Sequence, residues 1–128
     1  MICFVNVLMK QRKWSEYMRE VSFVEYKFDG KKYVTKGIAE TLPPDVQLFL
    51  FMCLNIMHDK TTGQLDYLQV FKLETTGEEN SKLLHIRHEQ EQPEAHMDYV
   101  MPTEIEINCK VYIIDDVDHV TMLLAEEY

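Results

Sequence analysis

Two prolines, Pro43 and Pro44, stand just before a run from Val46 to Met57 in which only Gln47 and Asn55 are polar. Proline suits the first turn of a helix, where its missing amide hydrogen costs little, and Asp45 then lies near the positive end of the helix dipole. A helix over residues 44–58 follows. Val46, Phe49, Leu50, Cys53, Leu54 and Met57 form its main stripe, but Leu48, Phe51, Met52 and Ile56 are apolar as well. A sheet covers one stripe of a helix, so a helix this apolar needs cover on a second side. That cover is expected from an N-terminal helix or from a second subunit. Phe51, Met52 and Ile56, together with Trp14, are therefore the expected partner interface.

The rest of the chain reads mainly as strands. Residues 10–21 are the exception, because Trp14, Tyr17, Met18 and Val21 fall at i, i+3, i+4 and i+7 and mark an amphipathic helix. Residues 22–28 and 31–37 flank Asp29-Gly30, a pair that supplies the positive φ angles of a two-residue hairpin turn and would set Tyr26 opposite Tyr33. Residues 67–73 and 83–89 form a second hairpin across the polar loop 75–81, and residues 92–102 read as a linker-like patch. Ile105, Ile107, Cys109, Val111 and Ile113 alternate with polar residues, the strongest period-two pattern in the chain. Residues 120–125 return beside them across a turn at 115–118. The expected order is helix, two strands, helix, four strands. This is an α+β fold: a mostly antiparallel sheet of hairpins packed on a central apolar helix, with an N-terminal amphipathic helix. Residues 1–20 form an extension and residues 21–128 a single domain.

Charge divides the chain unevenly. Residues 1–64 carry nine Lys/Arg and seven Asp/Glu, whereas residues 65–128 carry four and fifteen, so the net charge of −9 belongs to the second half. Such a surface repels phosphate backbones, which argues against direct nucleic-acid binding and favours basic protein surfaces. Glu78, Glu79, Glu89, Glu91, Glu94 and Asp98 are the expected acidic face. No apolar stretch reaches the length of a membrane helix, and the basic residues Lys10, Arg12 and Lys13 follow the apolar opening rather than precede it, the wrong order for a secretory signal. Cys3, Cys53 and Cys109 are odd in number, widely spaced and set in apolar runs. They read as buried small hydrophobes in a reducing cytosol.

Chemistry has thin support in these residues. His85 and His88 would point to opposite faces of a strand and cannot chelate one metal. His88 shares a face with Gln90, and Glu91, His96 or Asp98 reaching toward that pair would make a metal or proton-transfer pocket. The simpler expectation is that His88 and Gln90 bond loop backbone near Pro93. Asp115, Asp116, Asp118 and His119 lack the turn glycine and terminal glutamate of a calcium loop and read as a solvated hairpin turn. Cys53 and Cys109 are expected to be inert through burial. The serines lack a nucleophile-elbow context, and the glycines form no phosphate cradle. No catalytic residue, metal or cofactor is expected.

Five segments carry a resemblance: residues 33–38 (YVTKGI), 42–51, 66–71 (DYLQVF), 88–93 (HEQEQP) and 121–128 (TMLLAEEY). In that order they resemble domain-of-unknown-function family 960, small proteins of low-GC Gram-positive bacteria, their phages and mobile elements. The resemblance spans about Tyr33 to Tyr128, and the stretch before Phe28 departs from the family pattern. It implies a cytoplasmic, often mobile-element-borne protein and supplies no catalytic residues; His88, Gln90, Glu91 and Pro93 form a motif without an assigned role. The expected function is a non-catalytic protein-interaction or regulatory accessory protein of a phage or mobile element. Its partner would be a protein, a basic nucleic-acid-binding enzyme or a second copy of the chain. The first alternative is an acidic nucleic-acid mimic inhibiting a host defence nuclease, and the second a small metal-dependent enzyme using His88, Glu91 and His96.

Overall fold

The computed structural model describes residues 25–128. The amphipathic segment 10–21, with Trp14, and the earlier half of the expected first hairpin up to residue 24 lie outside them. The described chain is mixed α+β. Strand β1 (Lys31–Val34) is followed by helices α1 (Lys36–Thr41) and α2 (Pro44–Lys60), then β2 (Leu68–Thr76), β3 (Leu83–Glu91), β4 (Glu94–Pro102), β5 (Asn108–Asp115) and β6 (His119–Leu124), closing with a 3₁₀ turn at Ala125–Glu127. The six strands form one sheet in the order β1-β6-β5-β2-β3-β4. Every neighbouring pair is antiparallel except β1 and β6.

Alternation along the strands sorts side chains to two faces. On one face Phe71, Leu73, Leu84, Ile86, Val111, Ile113, Val120 and Met122 are buried in a single cluster with Val46, Leu50, Cys53, Leu54 and Met57 of α2 and Ile38 of α1. Phe49 meets Tyr99 of β4 edge to face at 5.2 Å. The other face carries a small second cluster, Ile114 and Leu123 under Tyr67, Leu68, Tyr112 and Tyr128, and is otherwise mostly polar, with Val70, Leu83 and Val100 as further apolar residues.

The β2–β3 and β5–β6 hairpins form as the patterns predict. The hairpin expected at Asp29-Gly30 does not. Neither residue takes a positive φ; Phe28 does, at 54°, while residues 25–29 form no strand. Residues 31–34 instead run parallel to β6. Gly30 serves close approach, since a Cβ there would lie 2.9 Å from the Asp118 carbonyl oxygen. Residues 36–37, expected to extend the strand, open helix α1, because Thr35 turns the chain by accepting the Ile38 amide on its Oγ1 at 3.1 Å.

The linker-like patch at 92–102 is likewise corrected. Residues 94–102 are β4, one of the two edge strands, paired with β3 along its whole length. Half-buried Ala95, Met97, Tyr99 and Met101 alternate with exposed Glu94, His96, Asp98 and Val100. Glu94 to Tyr99 do alternate with period two, but Pro93 and Pro102 at the two ends are loop signals, and these outweighed it.

Candidate functional site

The segment 88–93 enters the structure through a buried chain of hydrogen bonds. His88 and Gln90 project from β3 to the core side of the sheet. His88 is fully buried, stacked on Phe71 with ring centroids 4.1 Å apart, and its Nε2 lies 2.6 Å from Gln69 Oε1. Gln69 Nε2 donates to Gln90 Oε1 at 2.8 Å and to the Asp66 carbonyl at 2.8 Å. Gln90 Nε2 donates to the carbonyls of Gln64 and Pro93, both at 2.9 Å, and the Asp66 amide donates to Gln90 Oε1. With both amide groups oriented this way, the Gln69 oxygen needs a donor, so the proton of His88 sits on Nε2 and its buried Nδ1 is left as an unpartnered acceptor. Burial lowers the His88 pKa to about 3. The arrangement ties the loop after α2 to the β3–β4 turn and holds a neutral imidazole.

The sheet separates the other candidates. His96 and Asp98 alternate to the opposite face from His88, and Glu91 ends β3 exposed on that same far face. His88, Glu91 and His96 therefore do not converge. Among the described residues no group of three His, Cys, Asp or Glu is placed to hold a metal ion. Asp115 does not behave as part of a solvated turn: it is buried and accepts the Phe28 amide at 2.9 Å and the Val117 amide at 2.8 Å. Burial raises its pKa despite these bonds. Burial also pushes the Cys53 thiol up to about 12 and raises that of Cys109, which removes both from the thiolate state.

Nor do the acidic residues form one continuous set. Glu78 and Glu79 sit in the β2–β3 turn, at the opposite end of β3 from Glu91 and Glu94. Between them, Glu89 bonds Arg87 Nε at 2.6 Å and Lys72 Nζ at 3.2 Å, and Asp98 pairs with Arg87 at 3.2 Å. The Arg87 hydrogen bond holds the Glu89 carboxyl below its usual pKa.

Helix α2 presents a different kind of surface. Leu48, Met52 and Ile56, four residues apart and so aligned along one side, are 62%, 53% and 39% exposed. Phe51, grouped with Met52 and Ile56 in the sequence, is half-buried and packs against the core, whereas Leu48 joins the exposed stripe. Sequence periodicity identified the surplus of apolar positions but ranked Leu48 behind Phe51, because either flank of the stripe can face a sheet until the helix is docked.

The segments that carry the family resemblance meet in two places. Residues 66–71 and 88–93 are joined by the Gln69–Gln90–Asp66 bonds. Residues 33–38 and 121–128 are joined by Thr35, whose Oγ1 donates to Glu127 Oε1 at 2.6 Å while that same oxygen accepts the Leu124 amide at 2.8 Å.

No curated protein is significantly similar to the chain in sequence. Among solved structures, a protein of unknown function from Enterococcus faecalis is similar, with a TM-score of 0.58 at 17% identity over 83% of this chain and 97% of that one. At that identity the likeness extends to the fold alone. The family model for staphylococcal proteins of unknown function, DUF960, matches residues 31–127, and the chain belongs to that family.

Proposed function

We propose that this chain is a non-catalytic protein-interaction or regulatory accessory protein that docks a partner on the outward side of α2. The observation that carries this is the aligned exposure of Leu48, Met52 and Ile56, an apolar stripe on a helix whose opposite side already fills the core. Three large apolar side chains in line on a helix form a recognisable docking surface, unlike the scattered apolar residues common on any protein. In this proposal α2 is the central helix, with the sheet on one side and the partner on the other. A cytoplasmic setting and a phage or mobile-element origin belong to the proposal as well, and rest on the cysteine usage and the family resemblance.

The acidic-mimic alternative is less well supported, because Glu89 and Asp98 are occupied by Lys72 and Arg87 and the remaining acids lie at separate ends of β3. Light scattering and affinity purification of the full chain, beside a Leu48→Glu/Met52→Glu variant, test the proposal. A defined partner, or a self-associated state, that is lost in the variant while its circular dichroism is unchanged is the expected result. Partner recovery indifferent to both substitutions would overturn it.

A further inference from the structure

Residues 65–128 contain only four Lys/Arg among fifteen carboxylates, yet three of the four stand side by side on the outer face of the sheet. Lys110 of β5 is in register with Lys72 of β2, and Lys72 is in register with Arg87 of β3. Like charges directly opposite one another on neighbouring strands destabilise a sheet. Dispersing these cations among the acids would serve stability better.

The neighbouring carboxylates answer only part of the row. Glu89 bonds Lys72 and Arg87, and Asp98 bonds Arg87. Lys110 has no carboxylate within 4 Å among the described residues; its Nζ lies 5.8 Å from the centre of the Tyr112 ring. Tyr112 meets Tyr128 edge to face at 5.2 Å, making an aromatic wall beside the row. The three cations, Lys60 and the two tyrosines line one groove of about 850 Å³, together with the carboxylates of Asp66, Glu89, Glu91 and Glu94.

We propose that this groove binds a small organic anion with a planar ring. A phosphate or carboxylate group would sit against Lys110 and Lys72, where charge-assisted hydrogen bonds are strongest, and the ring would lie along Tyr112. The carboxylates in the same lining repel extended polyanions, so the ligand carries one anionic group, placed at the Lys110 end. The site is lined by the sheet and by Lys60 at the C-terminal end of α2, but by none of Leu48, Met52 and Ile56, so it stands independently of the docking surface there.

Titration of the ¹⁵N-labelled full chain with phenyl phosphate, benzoate and phenol, followed by backbone amide shifts at low chloride, tests this. Saturable shifts centred on Lys72, Lys110 and Tyr112 are expected with at least one of the two anions, the tighter one identifying the anionic group, and weak or no binding of phenol. Lys110→Gln should weaken binding about tenfold, and Lys72→Gln should do so comparably. Both residues are solvent-facing, so an unchanged spectrum elsewhere establishes that each variant is folded. Absence of saturation with both anions, equal affinity for phenol, or undiminished binding in the double variant would overturn the proposal.

Discussion

His88 and Gln69 share a 2.6 Å hydrogen bond inside the core, and through it one ring nitrogen is tied to a network that spans the loop after α2 and the β3–β4 turn. The bond requires a neutral ring with its proton on Nε2, since protonating Nδ1 would place a charge in an apolar cluster with no partner.

Acid should therefore destabilise the fold well above the pH at which carboxylates titrate. The unfolded imidazole takes up a proton below about pH 6.5, whereas the folded one resists until about 3. Between those values the unfolded state binds more protons, so stability falls as pH falls, by on the order of 5 kcal/mol across the window. Urea denaturation at a series of pH values should show this slope, and His88→Phe should flatten it between pH 5 and 6.5. The same variant should also lose roughly 1–3 kcal/mol at neutral pH, because Gln69 Oε1 loses its donor. An equal slope in the variant would show that His88 is not the titrating group.

The Thr35–Glu127 contact joins the start of α1 to the end of the chain. Thr35→Ala removes both this bond and the helix cap on Ile38, so a loss of about 1–2 kcal/mol is expected. Glu127→Ala should cost a similar amount, and the two losses should not add in the double variant. Glu127→Gln keeps an oxygen for Thr35 and the Leu124 amide and should be milder than either. Additivity measured in a double-mutant cycle would exclude the coupling.

Val117 adopts φ 81° in the β5–β6 turn, a conformation that crowds a β-branched residue, and it is exposed. Its amide is bonded to Asp115, and Asp116 caps the His119 amide, so the turn is held by its aspartates rather than by the valine side chain. Val117→Gly should raise stability by about 1 kcal/mol, seen as a higher thermal midpoint. A lower midpoint would mean that the side chain contributes packing that outweighs its strain.

Helix α2, the β2–β3 hairpin and the β5–β6 hairpin were legible because each is announced within a short window: Pro43-Pro44 before an apolar run, a polar loop between two strands, and alternation from Ile105 to Ile113, although β5 itself begins only at Asn108 and Ile105 is exposed before it. Strand β4 was obscured by the prolines at its two ends, Pro93 and Pro102, although Glu94 to Tyr99 alternate with period two. The surplus of apolar positions on α2 was visible as well, but not which of Leu48 and Phe51 would face outward.

What the amino-acid order determined alone was therefore local and partial: the helix after Pro43-Pro44, the β2–β3 and β5–β6 hairpins, and that the second half is acidic. Tertiary structure decided the rest. Asp29-Gly30 has the composition of a hairpin turn, yet β1 reaches across the fold to pair in parallel with β6, because Thr35 starts a helix at once and Gly30 lets the backbone approach Asp118. His88 looked like a candidate ligand beside Glu91 and His96 until the pleat sent it to the core and the other two to the opposite face. Likewise, Lys72, Arg87 and Lys110 are distant in sequence, and only the strand register sets them in a row. Pairings of this kind depend on long-range register, which no window of neighbouring residues encodes.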